Sequence, residues 1–280
     1  MITESLSDYS SFISKPDRHF LKKINACPVF LKEPTKMYRN YIFDLYGTLL
    51  DINTNEGKPY LWKKTAELYA YHGAYYTPKE LRAAYLRLCG EHTQRLREKN
   101  GAKYPEIQLE YVFEDLFREK GVNLSMDIIR TIGQTFRVIS TKFLCLYDSV
   151  TDFLDAIHAA GKKVYLLSNA QEMFTKHEMI AVGIYDKFDG IVFSSDEGLC
   201  KPEERFFRTV VERYGLNIAE SIMIGNDANT DILGANTIGM DSLYIHSDIS
   251  PQLTDPTGAD IPATYRVMDG DFTKIKQLIL

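Results

Sequence analysis

Four short polar segments could do chemistry, and each stands at or shortly after the end of an apolar run typical of a buried strand. Asp44 follows the first run, where a carboxylate can act as a nucleophile. Ser168 and Asn169 follow the second, where a hydroxyl and backbone N–H groups can bind an anionic oxygen. Lys201 follows the third and can neutralise an incoming anion. Taken alone, Asp44 is most simply an aspartate that caps a turn, so its chemical role depends on all four segments meeting.

The fourth segment runs Gly225-Asn226-Asp227-Ala228-Asn229-Thr230-Asp231. Its carboxylates and amides offer hard oxygen ligands suited to Mg²⁺, which takes one or two carboxylates and keeps several waters. Asn226 and Asp227 are both candidate metal ligands, and the choice between them stays open. Asp231 is expected in a supporting position, where it orients Lys201 or a metal-bound water.

The apolar runs predict a parallel sheet covered on both faces, because they are near-continuous rather than alternating. Gly47 permits a sharp exit from the first strand, and Thr48 can hold Asp44 or contact a substrate. Helical patterns lie between the runs, which specifies an α/β fold with a Rossmann-like doubly wound parallel sheet. Ligands of such folds bind beyond the carboxyl ends of the strands. The six predicted strands are Tyr41 to Phe43, Lys163 to Leu167, Gly190 to Phe193, Ser221 to Ile224, Ser242 to Ile245 and Tyr265 to Met268.

One connection in this sheet is far longer than a simple crossover, which needs about a dozen residues or more. It contains Thr77-Pro78-Lys79-Glu80, a capping box with proline at the first helical position, and several apolar stripes at helical spacing. We therefore predict a helical cap domain of residues 57–146, inserted into a core domain of residues 38–56 and 147–280. The cap is expected to lie over the strand ends.

Composition and charge exclude several classes of protein. The chain has 45% hydrophobic and 25% charged residues, an ordinary globular mixture, and a net charge of −5, which argues against a nucleic-acid partner. No apolar run approaches the roughly 18 residues that span a bilayer. The charged N-terminus lacks the apolar core of a secretory signal, and the four cysteines form no C-x-x-C pair, so we expect a cytoplasmic protein. Residues 1–37 are interpreted as a locally packed N-terminal extension, with an arm that wraps the core or an oligomer contact as the alternatives.

Together, the four segments resemble the motifs of the haloacid dehalogenase-like (HAD) superfamily. Its members carry D-x-D-G-T, then a Ser or Thr, then a Lys, then an acidic G-D-x-x-x-D type motif, and the predicted insert resembles the helical type I cap. The resemblance implies a Mg²⁺-dependent phosphohydrolase that acts on a small phosphorylated substrate through an aspartyl-phosphate. It makes Asp44 the nucleophile and Ser168 and Lys201 the phosphate contacts. Mg²⁺ would be held by Asp44, the backbone carbonyl of Tyr46, and Asn226 or Asp227.

Two positions depart from the phosphatase pattern. Tyr46 stands where these enzymes have a second Asp that acts as general acid and then base. Such groups typically contribute about 10² to 10⁴ in rate, so Tyr46 is a catalytic position whose role needs explaining. Asn226 stands where many members have the first Asp of the fourth motif, and Asp227 beside it can compensate.

Two other interpretations follow from these departures. The D-x-Y-G-T form also resembles the L-2-haloacid dehalogenases, in which an Asp displaces halide from carbon without a proton donor or metal. Asp227 and Asp231 favour the phosphohydrolase, as does Phe206-Phe207 in place of a tyrosine that dehalogenases carry after the lysine. The third interpretation is a degenerate member that binds a phosphorylated ligand or a protein partner without turnover. The intact Asp44 and Lys201 argue against it.

Overall fold

The computed structural model describes residues 36–280, so residues 1–35, most of the predicted N-terminal extension, lie outside the described part. Six strands form one parallel sheet and two further strands pair antiparallel. In chain order the strands are β1 (Asn40–Phe43), β2 (Leu50–Thr54), β3 (Thr141–Leu146), β4 (Lys163–Ser168), β5 (Gly190–Phe193), β6 (Ser221–Gly225), β7 (Asp241–Ile245) and β8 (Tyr265–Val267). The order across the large sheet is β5-β4-β1-β6-β7-β8.

Helices connect the strands. Those before β3 are α1 (Pro59–Tyr71), α2 (Pro78–Asn100), α3 (Leu109–Arg118) and α4 (Met126–Ser140). Those after it are α5 (Val150–Ala159), α6 (Glu172–Ala181), α7 (Ser194–Glu197), α8 (Glu204–Tyr214), α9 (Leu233–Thr237) and α10 (Phe272–Ile279), with short 3₁₀ turns at Tyr185–Lys187 and Ile218–Glu220 and a π turn at Ala228–Ile232. Within residues 36–280, no helix has both the length and the apolar composition needed to cross a bilayer.

The large sheet is buried on both faces, as its continuous apolar strands predict. Tyr41 and Phe43 of β1 face a cluster that includes Phe153 of α5, whose ring lies 6.1 Å from that of Phe43. Ile42 points the other way, into a cluster that includes Phe206 of α8. Each such buried side chain stabilises the fold by about 1.5–3 kcal/mol relative to an exposed one. The predicted doubly wound α/β fold is confirmed.

Helices α1 to α4 form a second apolar cluster, which Met173 and Phe174 of α6 join. In it, the Trp62 ring has its centroid 5.3 Å from that of Tyr85 and 5.4 Å from that of Phe136. Helix α2 begins at the predicted capping box, in which Glu80 N donates to Thr77 Oγ1 at 3.2 Å and Thr77 N donates to the Glu80 carboxylate at 2.9 Å. These four helices lie between β1 and β4 in sequence, where the cap was predicted, and the exact domain boundaries stay a prediction.

The β2–β3 pair was not predicted. Leu50 pairs with Leu146 and Asp51 with Cys145, at the point where the chain leaves the core for α1 and returns from α4. The segment Leu50–Thr54 is short and half polar, and its partner lies about ninety residues away in sequence. Nothing local therefore distinguishes it from a loop, and its pairing is decided by tertiary context.

Candidate active site

Asp44 emerges at the carboxyl end of the central strand β1 and is 7% exposed. Its backbone N–H donates to the carbonyl of Ile224 on β6 at 2.9 Å. The chain then folds into a tight turn in which the Leu45 carbonyl accepts bonds from Thr48 N at 3.2 Å and Leu50 N at 2.9 Å. The backbone on both sides of the carboxylate is thus fixed, which holds Asp44 at the ligand-binding edge of the sheet.

Lys201 reaches the same point from the loop after α7. Its ammonium Nζ lies 2.6 Å from Asp44 Oδ1 and 2.6 Å from Asp231 Oδ1, and the Lys201 and Asp231 side chains are almost fully buried. Burial alone would lower the pKa of Lys201, but the two carboxylates outweigh it and raise that pKa. Burial in turn raises the pKa of Asp231 against the pull of Lys201. The ammonium therefore stays protonated near neutral pH and is fixed beside Asp44.

Ser168 and Asn169, at the end of β4, occupy this edge in different ways. The Ser168 hydroxyl is buried and lies 3.5 Å from Asp44 Oδ1. The Asn169 side chain binds the backbone of Lys201 twice, accepting from its N–H at 2.7 Å and donating to its carbonyl at 3.2 Å. Asn169, predicted as a substrate contact, thus has its amide engaged in holding the loop that carries Lys201.

Asn226 lies on the other side of Asp44. The Thr48 hydroxyl bridges the two residues, 3.4 Å from Asp44 Oδ2 and 3.3 Å from Asn226 Oδ1. Gly47 adopts a left-handed φ of 83°, and a Cβ at that position would overlap the Asn226 amide. Glycine is therefore needed here both for the turn and for the close approach of Asn226.

Asp227 and Asp231 have supporting contacts. The Asp227 carboxylate accepts a hydrogen bond from Asn229 N at 2.8 Å and so caps the following turn. Its backbone N–H donates to Asp231 Oδ2 at 3.0 Å. Asp231 thereby connects the fourth segment to Lys201, because its other oxygen contacts the ammonium. Of the two candidate metal ligands, Asn226 is the one that shares Thr48 with Asp44.

The donors around Thr48 fit a small hard cation. Carboxylate oxygen from Asp44 and amide oxygen from Asn226 converge there, and Mg²⁺ prefers oxygen ligands with one or two carboxylates and several waters. The described residues contain no group of three or more His, Cys, Asp or Glu side chains that could hold a metal. A cation at this edge would therefore depend on amide, carbonyl and water oxygens besides its carboxylates.

Tyr46 does not direct its hydroxyl at this cluster. Its O–H donates to the Glu178 carboxylate, and the oxygen lies 2.9 Å from Thr175 Oγ1 and accepts a long hydrogen bond of 3.4 Å from Arg137 Nη2. Burial and the negative charge of Glu178 raise the pKa of Tyr46 well above its usual value. The phenol stays protonated near neutral pH, and its proton is engaged by Glu178.

Sequence reasoning missed the loop of residues 101–108, which joins α2 to α3 and bonds to the core beside the second and third polar segments. Cys200, next to Lys201, donates its N–H to the carbonyl of Tyr104 at 3.0 Å. Gln171, two residues after Asn169, donates to the carbonyl of Ile107 at 2.8 Å. The loop carries no motif, and only the positions of Cys200 and Gln171 next to motif residues could have drawn attention to these contacts.

Comparison with known proteins places this site in a family. A model of haloacid dehalogenase-like hydrolases matches residues 38–239. A glyceraldehyde 3-phosphate phosphatase from Methanothermobacter thermautotrophicus is 28% identical over 148 residues, 52% of this chain and 63% of the relative. An (S)-2-haloacid dehalogenase from Pseudomonas fluorescens is 23% identical over 218 residues, 75% of this chain and 86% of the relative. The crystal structure of a HAD phosphatase from Thermococcus onnurineus has a TM-score of 0.54 at 16% identity, covering 85% of this chain and 96% of that one.

These likenesses differ in what they establish. The structural match, at low identity, shows the fold alone. The chain spans less than two thirds of the first curated relatives, 63%, 58% and 43% of their lengths. The family match, in contrast, covers well over half of the 280 residues and includes all four polar segments. The chain belongs to the haloacid dehalogenase-like hydrolases.

Proposed function

We propose that this protein is a Mg²⁺-dependent phosphohydrolase that cleaves a small phosphorylated substrate through an aspartyl-phosphate on Asp44. The observation that carries the proposal is the contact of 2.6 Å between Asp44 Oδ1 and Lys201 Nζ, with the Ser168 hydroxyl 3.5 Å from the same oxygen. A carboxylate, a fixed cation and a hydroxyl at one edge can receive a phosphoryl group and neutralise its charge. The similarity to a glyceraldehyde 3-phosphate phosphatase supports the same reaction class.

In the first step, a carboxylate oxygen of Asp44 attacks phosphorus in line with the leaving oxygen. The new bond joins Asp44 to phosphorus, and the bond to the leaving oxygen breaks with its electron pair remaining on that oxygen. Lys201 and Ser168 stabilise the charge on the phosphoryl oxygens. Water then attacks the phosphorus of the aspartyl-phosphate. The bond between phosphorus and the Asp44 oxygen breaks with its electron pair returning to the carboxylate, and the protons of the water leave with the inorganic phosphate as H2PO4−. Most of the catalysis is positioning and electrostatics.

Mg²⁺ would be held by Asp44, the carbonyl of Tyr46 and Asn226, with Asp227 as the alternative to Asn226. When bound, it supplies further positive charge for the phosphoryl oxygens. Lys201 and Asn226 approach Asp44 through different oxygens, Oδ1 and, by way of Thr48, Oδ2. Because the two oxygens face different partners, the Asp44 carboxylate could contact Mg²⁺ through one oxygen and Lys201 through the other.

The leaving oxygen has no assigned proton donor, since the Tyr46 hydroxyl is engaged by Glu178. Substrates whose leaving group is stable as an anion should therefore react fastest, and these are aryl and acyl phosphates.

We further propose that residues 57–146 form a cap that selects the substrate and excludes water, and that the protein acts in the cytoplasm. The bonds between the loop of residues 101–108 and Cys200 support the cap assignment, because they lie one residue from Lys201.

The experiment that tests this function is a phosphate-release screen over a broad panel of phosphorylated metabolites, with and without Mg²⁺. Asp44→Asn, which keeps the size of the side chain and removes the nucleophile, is the control. Phosphate release that requires both Mg²⁺ and Asp44 is the expected result. Release that persists in Asp44→Asn would remove Asp44 from its role.

One observation favours a second candidate. Tyr46 replaces the acid–base Asp, as in the D-x-Y-G-T form of the L-2-haloacid dehalogenases, and one relative is an (S)-2-haloacid dehalogenase. Displacement of halide from a 2-haloacid by Asp44 needs neither a metal nor a proton donor. Halide release without metal would select this reaction, and absence of both turnovers would select a degenerate member that binds its ligand without converting it.

A further inference from the structure

Tyr46 joins the turn that carries Asp44 to two charged residues from distant parts of the chain. Its hydroxyl donates to Glu178 and lies 2.9 Å from Thr175 Oγ1. The guanidinium of Arg137 lies 5.7 Å from the centroid of the Tyr46 ring, and its Nη2 is 3.4 Å from the Tyr46 oxygen. The phenol is therefore held at its oxygen and at its face.

Arg137 and Glu178 form a close ion pair. Arg137 Nε lies 2.6 Å from Glu178 Oε1, and Nη2 lies 3.3 Å from Oε2. The two side chains are 16% and 12% exposed, so solvent screens the pair weakly. Removing either partner would leave the other charge poorly solvated, and the bond to Tyr46 would change with it.

The pair also connects the inserted helices to the core. Arg137 is in the last turn of α4, whereas Glu178 is on α6, the helix that follows β4 and Ser168. The same guanidinium lies 5.6 Å from the ring of Phe174 on α6. A shift of α4 relative to α6 would therefore move the groups that hold Tyr46, two residues from the nucleophile.

We propose that Arg137 and Glu178 are positioning residues that fix the Asp44 turn through Tyr46 and make its geometry depend on the seating of helices α1 to α4 on the core. Its catalytic consequence rests on the proposed phosphohydrolase function, whereas its structural consequence does not. Misplacement of a reacting group by about 1 Å can lower a rate by about 10²-fold. Loss of either charge should therefore lower kcat more than it raises KM.

A merely stabilising ion pair is the alternative, and the chain offers a matched control. Arg130 lies on the same helix α4, and its Nη2 contacts Glu110 of α3 at 3.0 Å, with the Glu110 side chain 6% exposed. That pair lies within the inserted helices and contacts none of the residues around Asp44. Arg130→Gln thus removes an ion-paired arginine of the same helix without touching Tyr46, although the Arg130 side chain is 45% exposed and that of Arg137 is 16% exposed.

Hydrogen exchange provides a readout that does not depend on activity. The amides of Gly47, Thr48, Leu49 and Leu50 are all bonded within the turn and should exchange slowly. We expect Arg137→Gln and Glu178→Gln to speed exchange there by at least about tenfold, and Arg130→Gln to leave it unchanged. If a charge variant does not fold, Tyr46→Phe can be measured in its place. It removes only the hydroxyl and should also speed exchange at this turn. Unchanged exchange at this turn in every variant that folds would overturn the proposal.

Kinetics with p-nitrophenyl phosphate and Mg²⁺ provide the second readout. Arg137→Gln and Glu178→Gln should each lower kcat by at least about tenfold with little change in KM, and Arg130→Gln should retain wild-type kcat. The charge-exchanged double variant Arg137→Glu with Glu178→Arg should recover part of the loss. If Arg137→Gln, Glu178→Gln and Arg130→Gln all lose the same factor in kcat, the Arg137–Glu178 pair only stabilises the fold, which would contradict the proposal. A wild type that releases no phosphate from p-nitrophenyl phosphate or from any member of the metabolite panel, but whose turn still responds in exchange, would instead reject the phosphohydrolase and retain the positioning role.

Discussion

The ammonium of Lys201 and the carboxylate of Asp231 lie 2.6 Å apart, and their side chains are 2% and 1% exposed. At that depth, neither charge is solvated by water, and each depends on the other. Asp44, only slightly more exposed, shares the same ammonium. Asp44, the proposed nucleophile, is therefore one of two carboxylates that compete for a single buried cation, so a change at this cation should affect both the stability of the fold and the proposed chemistry.

Replacing Lys201 with an uncharged residue should lower both the stability of the fold and the rate of turnover. Lys201→Met leaves two buried carboxylates without a partner, so we expect the free energy of unfolding to fall by about 3–5 kcal/mol. Turnover should fall by about 10² to 10³-fold or more, because a donor to the phosphoryl oxygens is lost. Adding Asp231→Asn removes one unpaired charge and should recover part of the stability but none of the turnover. Urea unfolding and phosphate release measure the two effects, and a Lys201→Met protein as stable as the wild type would contradict the assignment.

Asn169 should act on catalysis through Lys201. Its amide binds both backbone groups of that residue, so Asn169→Ala should let the lysine shift and lower kcat by about 10²-fold. Asn169→Asp, which keeps the acceptor for Lys201 N–H, should lose less. Asn217→Ala is the matched control, because the Asn217 side chain accepts one backbone bond from Ala219, at 3.1 Å. If Asn169→Ala and Asn217→Ala give the same kcat, Asn169 does not position the lysine.

Gly47 should be required for metal binding not only because of its left-handed backbone but also because a side chain there would displace Asn226. Gly47→Ala places a Cβ against the Asn226 amide, whereas at Gly161, which has a similar φ of 70°, a Cβ would point into open space. Both changes should destabilise the fold by about 1–2 kcal/mol, since a left-handed φ disfavours any Cβ. Only Gly47→Ala should also raise the Mg²⁺ concentration needed for half-maximal turnover. Equal Mg²⁺ dependence in the two variants would exclude Asn226 from the cation site.

Much of this arrangement could be predicted from short stretches of sequence. The apolar run before Asp44 predicted a buried strand, and the placement of Ser168 and Lys201 after similar runs predicted their convergence, because parallel strands share one ligand-binding edge. The capping box at Thr77 predicted the start of α2, since its hydrogen bonds are local. Each of these features depends on residues within a few positions of one another.

What could not be predicted depends on pairs far apart in the chain. Tyr46 meets Arg137 and Glu178 only because α4 packs beside α6, and no periodicity records that packing. The two bonds from Asn169 to Lys201 likewise depend on how two loops approach each other. Sequence reasoning assigned Tyr46 and Asn169 by their neighbours in the motif, and it had no means of finding where their side chains point.

The leaving group should decide the rate. With the Tyr46 hydroxyl bonded to Glu178, no carboxylic acid is assigned to protonate the departing oxygen. We expect kcat/KM for p-nitrophenyl phosphate or acetyl phosphate to exceed that for alkyl phosphates by at least about 10²-fold, the usual contribution of a positioned acid. A series of phenyl phosphates should show a rate that falls steadily as the pKa of the phenol rises. Equal kcat/KM for aryl and alkyl esters would reveal another proton donor.

The central claim is that Asp44 itself receives the phosphoryl group. Rapid acid quench of the wild-type enzyme during turnover with acetyl phosphate and Mg²⁺, followed by peptide mass spectrometry, tests it directly. We predict a transient phosphoryl adduct on the peptide that contains Asp44, and neither adduct nor phosphate release in Asp44→Asn. Release of phosphate by a folded Asp44→Asn protein, or an adduct on any other residue, would contradict the account.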